Sequence, residues 1–328
     1  MIICFIMEMN TAHGATGETV RHLLLSIRRW FDSYAGVEEM ATAPEKKIDL
    51  QRVLPFVLLH LGCLGVYRVG WSPVAVWTAV GLYFLRMFGI TAFYHRYFSH
   101  NTFKASRGWT FAFAVLGGSS AQRGPLWWAG HHRHHHRCAD KDDDIHSPVV
   151  HGFWWSHVGW ILSTRNFPTP FKRIGDYACY PELVFLDRFD LLVPALLAGG
   201  LYGAGALLES RFPGVGTTGT QMLVWGFFIS TTALFHATST INSLDHLVGS
   251  RRYATGDESR NNAWLAFLTL GEGWHNNHHH YPAASRQGFF WWEIDITYYL
   301  LKLLSLLGIV RELRPVPERI LHEGLLRG

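Results

Sequence analysis

Twenty of the 328 residues are histidine, and the ones whose spacing could do chemistry fall in four groups. His95 and His100 bracket HRYFSH; His132, His135 and His136 form an HxxHH within the run 131–136; Asn242 and His246 stand four apart; His275, His278 and His279 form a second HxxHH. In an α-helix residues i, i+3 and i+4 share a face, so each HxxHH is expected to aim three imidazoles at one point, and Asn242 and His246 to face one way. Neutral imidazole binds zinc, copper, nickel or iron, and ligand type alone does not choose among them. The nine histidines are too many for one ion and suit two neighbouring ions with an open edge for oxygen or substrate. Such a set differs from soluble carboxylate bundles, whose ligands are Glu and Glu-x-x-His. His131, His134 and His280 fall off the repeated face and are expected beside the site or at the surface; a lone His60 reads as a packing residue.

These groups need elements to hold them. A bilayer core of roughly 30 Å takes about 20 apolar helical residues, and four stretches approach that: 53–67 and 73–93, joined by a turn containing Gly70, Trp71, Ser72 and Pro73, then 191–208 and 222–241, joined by a Pro/Gly/Thr-rich link at 213–219. The short links predict two hairpins. Residues 94–188 carry eleven Lys or Arg and the chain from 245 onward carries nine, so both regions, the N-terminus and the histidine groups are expected on the cytosolic side. The expected fold is an all-α integral membrane protein: four transmembrane helices in two hairpins beneath a cytosolic helical cap that holds a histidine-caged dimetal site. Residues 1–51 form a tail, 52–310 the membrane domain and 311–328 a C-terminal tail. Stretches 109–116 and 289–310 are apolar but interrupted, by glycines and serines or by Glu293, Asp295 and Lys302, and are expected as interfacial helices. Stretch 20–31 fits either another such helix or a solvated tail helix.

Composition agrees with a part-membrane, part-cytosolic protein. Hydrophobic residues make up 48% and aromatic residues 15%, with 14 tryptophans, yet the mean hydropathy of +0.07 is too low for spans alone. A net charge of +4 without a dense basic tract argues against a nucleic-acid groove and fits contact with anionic lipid. Cys4, Cys63, Cys138 and Cys179 show no CxxC spacing, which argues against a disulfide framework or zinc ribbon. The opening MIICFIMEMN is too short to span and shows no cleavage site, so it is expected as a tail.

At HRYFSH (95–100), the HxxHH from His132, NSLDH (242–246) and GEGWHNNHHHYP (271–282), with SHVGW (156–160) and SRQGFFWWEID (285–295) in support, the chain resembles the membrane fatty-acyl desaturases of the stearoyl-CoA desaturase type, bacterial members especially. The resemblance covers about 89–295. It implies two iron ions, one held by His95, His100, His132, His136 and His279, the other by His135, His246, His275 and His278 with Asn242 reaching it through water. It further implies a cis double bond, by default at delta-9, made by stepwise hydrogen abstraction from a saturated fatty-acyl chain with O2 and two electrons, since an unactivated methylene offers no acidic proton to a base. No HPGG motif occurs, so electrons are expected from a separate small carrier, a cytochrome or ferredoxin, with its reductase. The acyl chain is expected in a dry tunnel, for which Trp127, Trp128, Trp274 and position 239 are wall candidates. Trp154 and Trp155 fit an interfacial belt at least as well.

Two sites, one of them a pair of residues, depart from that family pattern. An Arg-Asp pair that helps hold the CoA headgroup in acyl-CoA desaturases is Gly130-His131 here, and a tunnel tryptophan is Ser239. Both leave an acyl-lipid or acyl-carrier substrate open beside acyl-CoA. The rival activity is a membrane fatty-acyl or alkane hydroxylase, in which the same oxidant returns its hydroxyl to the carbon. A non-catalytic metal transporter would instead place its histidines along the spans.

Overall fold

The computed structural model describes residues 20, 24–25 and 27–326. The opening ten residues lie outside these, as does part of the stretch 20–31, of which 27–31 is helical. The principal helices are α1 (Val37–Ala41), α2 (Leu50–Cys63), α3 (Pro73–Ser99), α4 (Arg107–Gly118), α5 (Pro125–Cys138), α6 (Pro181–Arg188), α7 (Leu192–Arg211), α8 (Gly219–Ser243), α9 (Ala263–Leu268), α10 (His275–His280) and α11 (Ile296–Leu306). A two-residue antiparallel pair, β1 (Lys104–Ala105) with β2 (Val310–Arg311), ties the end of α3 to the segment after α11.

Among the described residues three helices are long and apolar enough to cross a bilayer: α3 with 27 residues, α7 with 20 and α8 with 25. The first expected span is shorter, a 17-residue apolar run over Val53–Val69 that breaks after Cys63. Local chemistry explains where the long helices start. The Ser72 hydroxyl accepts from the Ala75 amide at 3.2 Å with Pro73 in the first turn, an arrangement that satisfies donors the helix leaves open. Thr218 and Gln221 form a reciprocal capping box at the head of α8.

Both α3 and α8 contain π-helical turns, over Gly89–Ser99 and Val224–Ile229. Widened turns shift the helical phase and recur at functional sites, and the first of them carries His95 and Arg96. Below it the fully buried Arg86 binds the Thr231 hydroxyl (2.7 Å), the Ser230 hydroxyl (2.6 Å) and the Ser119 carbonyl (3.2 Å). Desolvating a guanidinium costs several kcal/mol, and these acceptors offset that cost while locking α3 to α8 and to the end of α4.

The apolar core sits under the cap, where the rings of Phe93 and Phe113 stack at 3.8 Å and Tyr97 packs on Phe103. Stretch 109–116 lies within α4, exposing Trp109 and Phe111 while burying Phe113 and Ala114. Stretch 289–310 differs from expectation: only Ile296–Leu306 is helical, and Glu293 and Asp295 are buried ion-pair partners of Arg252 and Arg96. Acidic residues that read as the wet side of an interfacial helix therefore brace the cap from within.

Candidate metal centre

All nine sequence-predicted histidines converge, in two groups. His95 at the end of α3, His100 just beyond it, His132 and His136 of α5, and His278 of α10 form the first; His135 of α5, His246 just after α8, and His275 and His279 of α10 form the second. Within the first, successive Nε2 atoms are 2.9–3.0 Å apart along His100, His132, His136, His278 and His95. In the second, His246 and His275 bring their Nε2 atoms to 3.1 Å.

The resemblance assigned His279 to the first ion and His278 to the second; the structure places them the other way round. Residues i and i+4 of a helix differ by only about 40° in direction, whereas i+3 and i+4 differ by about 100°. Each HxxHH consequently sends its outer pair to one group and its middle histidine to the other. In α5 the pair is His132 and His136; in α10 it is His275 and His279. The expectation that all three rings of a box meet at one point fails for the same reason.

Carboxylates from distant loops fix the rings. His135, His246 and His279 donate Nδ1–H to Asp144 (2.9 Å), Asp140 (2.7 Å) and Asp257 (2.8 Å), and His95 donates to Glu272. Such partners set the tautomer, leaving Nε2 as the free lone pair, and raise ligand basicity. Glu272 is buried and also pairs with Arg96 at 3.0 Å, which reaches Asp295 at 3.0 Å.

Burial, followed by the crowding of neighbouring histidines, pushes His100, His132, His136, His275 and His278 well below the usual histidine range, and burial lowers His279 to about 4. At neutral pH these rings are neutral. Two nitrogens each roughly 2.1 Å from one ion and at right angles to each other lie about 3 Å apart, which is the spacing found in the first group. In the second, His279 Nε2 and His275 Nδ1 are buried without a hydrogen-bond partner among the described residues. The donor set fits a pair of cations.

Sequence reasoning missed the supports. Asp187, buried beneath the head of α5, accepts from the Trp127 amide (2.7 Å), the Thr169 hydroxyl (2.6 Å) and the Tyr34 hydroxyl (2.9 Å), placing a carboxyl at a helix N-terminus. Arg133, inside the histidine run, binds the Ser99 and Phe98 carbonyls and Asp176. Asn276 accepts from the Arg252 and Tyr253 amides at 2.8 Å, and Asn277 donates to Gln287 O and Glu293, so the residues between the ligating positions anchor α10. His146 forms a third buried cluster with His135 and Asp144. The acid run at 140–144, next to a histidine box, was the available signal for two of these groups.

His131 binds Pro168 O at 3.3 Å, His134 binds Asp143 O, and His280 stacks on Tyr253; none joins the two groups. His60 lies away from the groups, its Nε2 3.0 Å from His236 Nε2, and His236 in turn meets His157.

A space of about 770 Å³, counting its open side, lies beside the first group, walled by Trp127, Trp128, Ser239, Asn242, His132 and Glu272, among others. Trp274 stands elsewhere, its indole N–H donated to Ile294 O. Asn242 lines this wall.

The family model described as Fatty acid desaturase matches residues 70–302. The chain is 33% identical over 315 residues to the palmitoyl-monogalactosyldiacylglycerol delta-7 desaturase, chloroplastic, of Arabidopsis thaliana, covering 94% of this chain and 79% of that protein. It is 35% identical over 286 residues to the sn-1 stearoyl-lipid 9-desaturase of Anabaena variabilis, covering 84% and 97%. To an acyl-CoA 5-desaturase of Anemone leveillei it is 36% identical over 267 residues, covering 80% and 78%.

Proposed function

We propose, from the premise that this chain belongs to the fatty acid desaturase family, that its substrate is an acyl chain esterified to a membrane lipid, into which it places a cis double bond at delta-9. The chain is an O2-dependent oxidoreductase that introduces double bonds into fatty acyl chains, and an integral membrane protein. The lipid-bound reading is carried by Gly130, the position that corresponds to a CoA-binding arginine in acyl-CoA desaturases. An atom added there would come within 2.6 Å of the Pro170 ring, and His131 beside it is buried against Trp127. The close packing at that corner supports the lipid reading. The lipid-named relatives point the same way.

The nine histidines would hold two iron ions, with Asn242 contributing through water. Bound there, iron supplies the reduction of O2 that takes two hydrogen atoms from adjacent carbons; two further electrons and two protons complete the release of two waters. The chain's own residues position and exclude. Trp127 and Trp128 wall the acyl chain against water, and Glu272, Asp140, Asp144 and Asp257 hold four imidazoles in the ligating tautomer. The run Val53–Val69 forms a fourth span that packs on α8, as α7 does, and the cap faces the cytosol. Electrons arrive at the cap from a separate cytochrome or ferredoxin.

Gas chromatography with mass spectrometry on lipids of an expressing host, fractionated by class and set beside a His135→Ala control, tests this reading. Histidine-dependent monoenes should appear first in glycerolipids. Hydroxy acids without new double bonds, or monoenes first in the acyl-CoA pool, would overturn it.

A further inference from the structure

Two cavities of this protein share a wall. The one beside the histidines includes Ile161 and Phe235 in its wall, and the same two side chains line a second space of about 1360 Å³, counting its open side, that runs out between α2 and α7. Building on the lipid-substrate reading, we propose that this second space is a lateral portal through which the acyl chain of a bilayer glycerolipid slides past Ile161 and Phe235 into the site, leaving its headgroup at the rim.

The lining has the chemistry of a chain-binding groove. Pro55, Phe56 and Leu59 of α2 form one wall, Pro194, Ala195 and Ala198 of α7 the other, and Phe227 and Phe228 of α8 lie behind. The small residues of α7 hold the gap open. Farther along, α2 rests directly on α8: Gly62 packs so closely on Phe228 that an added Cβ would sit 2.2 Å from the ring. Between two membrane helices the opening faces hydrocarbon. A lipid tail is as apolar as these walls, so moving it into the groove needs almost no desolvation.

The cap-side end of the groove is polar and built of ion pairs. Arg123 pairs with Asp190 at 3.2 Å, donates to Phe167 O at 2.9 Å and lies over Trp127; Arg29 pairs with Glu39 at 3.0 Å. Ser33 binds Asp190 at 2.9 Å and so pins the N-terminal segment over this end. These part-buried ion pairs end the apolar lining, so a polar headgroup would stop here while its acyl chain continues along the groove. A chain delivered from water on CoA would have no use for a groove that opens between spans.

The test has two arms. In cells, Ala198→Trp and Leu59→Trp fill the groove from opposite walls, while Leu196→Trp, on α7 but outside the lining, is the control. With metal content at the wild-type level, either groove variant should cut glycerolipid monoenes at least tenfold and the control should not. Wild-type product levels in both groove variants would overturn the portal and show that the chain arrives from the water side. Independently of turnover, the wild-type protein in nanodiscs of phosphatidylglycerol carrying a diazirine on one acyl chain should form adducts on 55–59 and 194–198 at least fivefold above 203–207. Even labelling around the membrane belt would overturn the proposal. A wild-type protein that makes no double bonds but labels the groove would refute the desaturase substrate reading and leave the portal standing.

Discussion

The Nε2 atoms of His95 and His278 lie 3.0 Å apart although 183 positions separate the residues in sequence. One rides on the widened final turns of a membrane helix and the other on a six-residue helix held by side-chain amides. The contact therefore couples the seating of the cap on the membrane helices to the completeness of the first histidine group.

That grouping makes a prediction about paired substitutions. His278→Ala should thin the first group and His279→Ala the second. Adding His95→Ala to the former should lower metal content little further, whereas adding it to the latter should deplete both groups, since residues sharing one site are non-additive. Metal per chain by inductively coupled plasma mass spectrometry reads this directly. Equal losses in the two double variants would mean that the partition is wrong.

Gly273 tests how α10 is held. A Cβ at this position would stand 2.1 Å from the Ala266 amide nitrogen and 2.4 Å from the Asn262 carbonyl oxygen, both backbone atoms that cannot swing aside. Gly273→Ala should cost about 1–3 kcal/mol, lower the melting temperature in detergent and reduce bound metal. Gly108→Ala, where the added methyl meets nothing within 4 Å, should do neither. A Gly273→Ala protein with wild-type melting and metal content would show that the junction relaxes.

The histidine boxes were legible because a helix turns a spacing of four into a shared direction and sends the histidine between to a neighbouring one, without help from the rest of the fold. The resemblance placed His132 and His136 on one ion, and the same outer pairing applied to α10 puts His275 with His279, as the structure has it. Asp257 and Glu272 could not be found that way, because loop residues acquire partners only through tertiary contact. The three long apolar helices were legible as hydropathy. The burial of Glu293 and Asp295 was not, since a charge pattern does not reveal that its partners, Arg252 and Arg96, arrive from elsewhere in the chain.

Acid should loosen the junction between α4 and α6. Arg107 Nε and Nη2 donate to the two oxygens of Glu182 at 2.6 and 2.8 Å, and these bonds lower the Glu182 pKa from 4.5 to about 2. A carboxylate with a depressed folded-state pKa stabilises the fold above its unfolded value, and that contribution fades as the pH falls through the folded one. The pair is solvent-exposed, so the effect is small. The melting difference between wild type and Arg107→Ala should be constant above about pH 5 and close between 4.5 and 2. A gap that does not change with pH would assign the loss to packing of Arg107 on Tyr180 instead.

Asp257→Asn isolates what a carboxylate behind a ligand contributes. Asp257 accepts the Nδ1 proton of His279 at 2.8 Å, which leaves Nε2 as the lone pair. An asparagine amide can instead donate to Nδ1, favouring the tautomer that carries its proton on Nε2, where it blocks coordination. Loss of such a partner typically costs 10- to 100-fold in metal affinity, while the side chain keeps its volume and the fold its packing. Chelator competition on the purified protein should show that drop with an unchanged circular dichroism spectrum, and Asp257→Glu should recover part of it. If the asparagine variant held metal as tightly as wild type, the carboxylate would be a structural tether and His279 would need no help in choosing its tautomer.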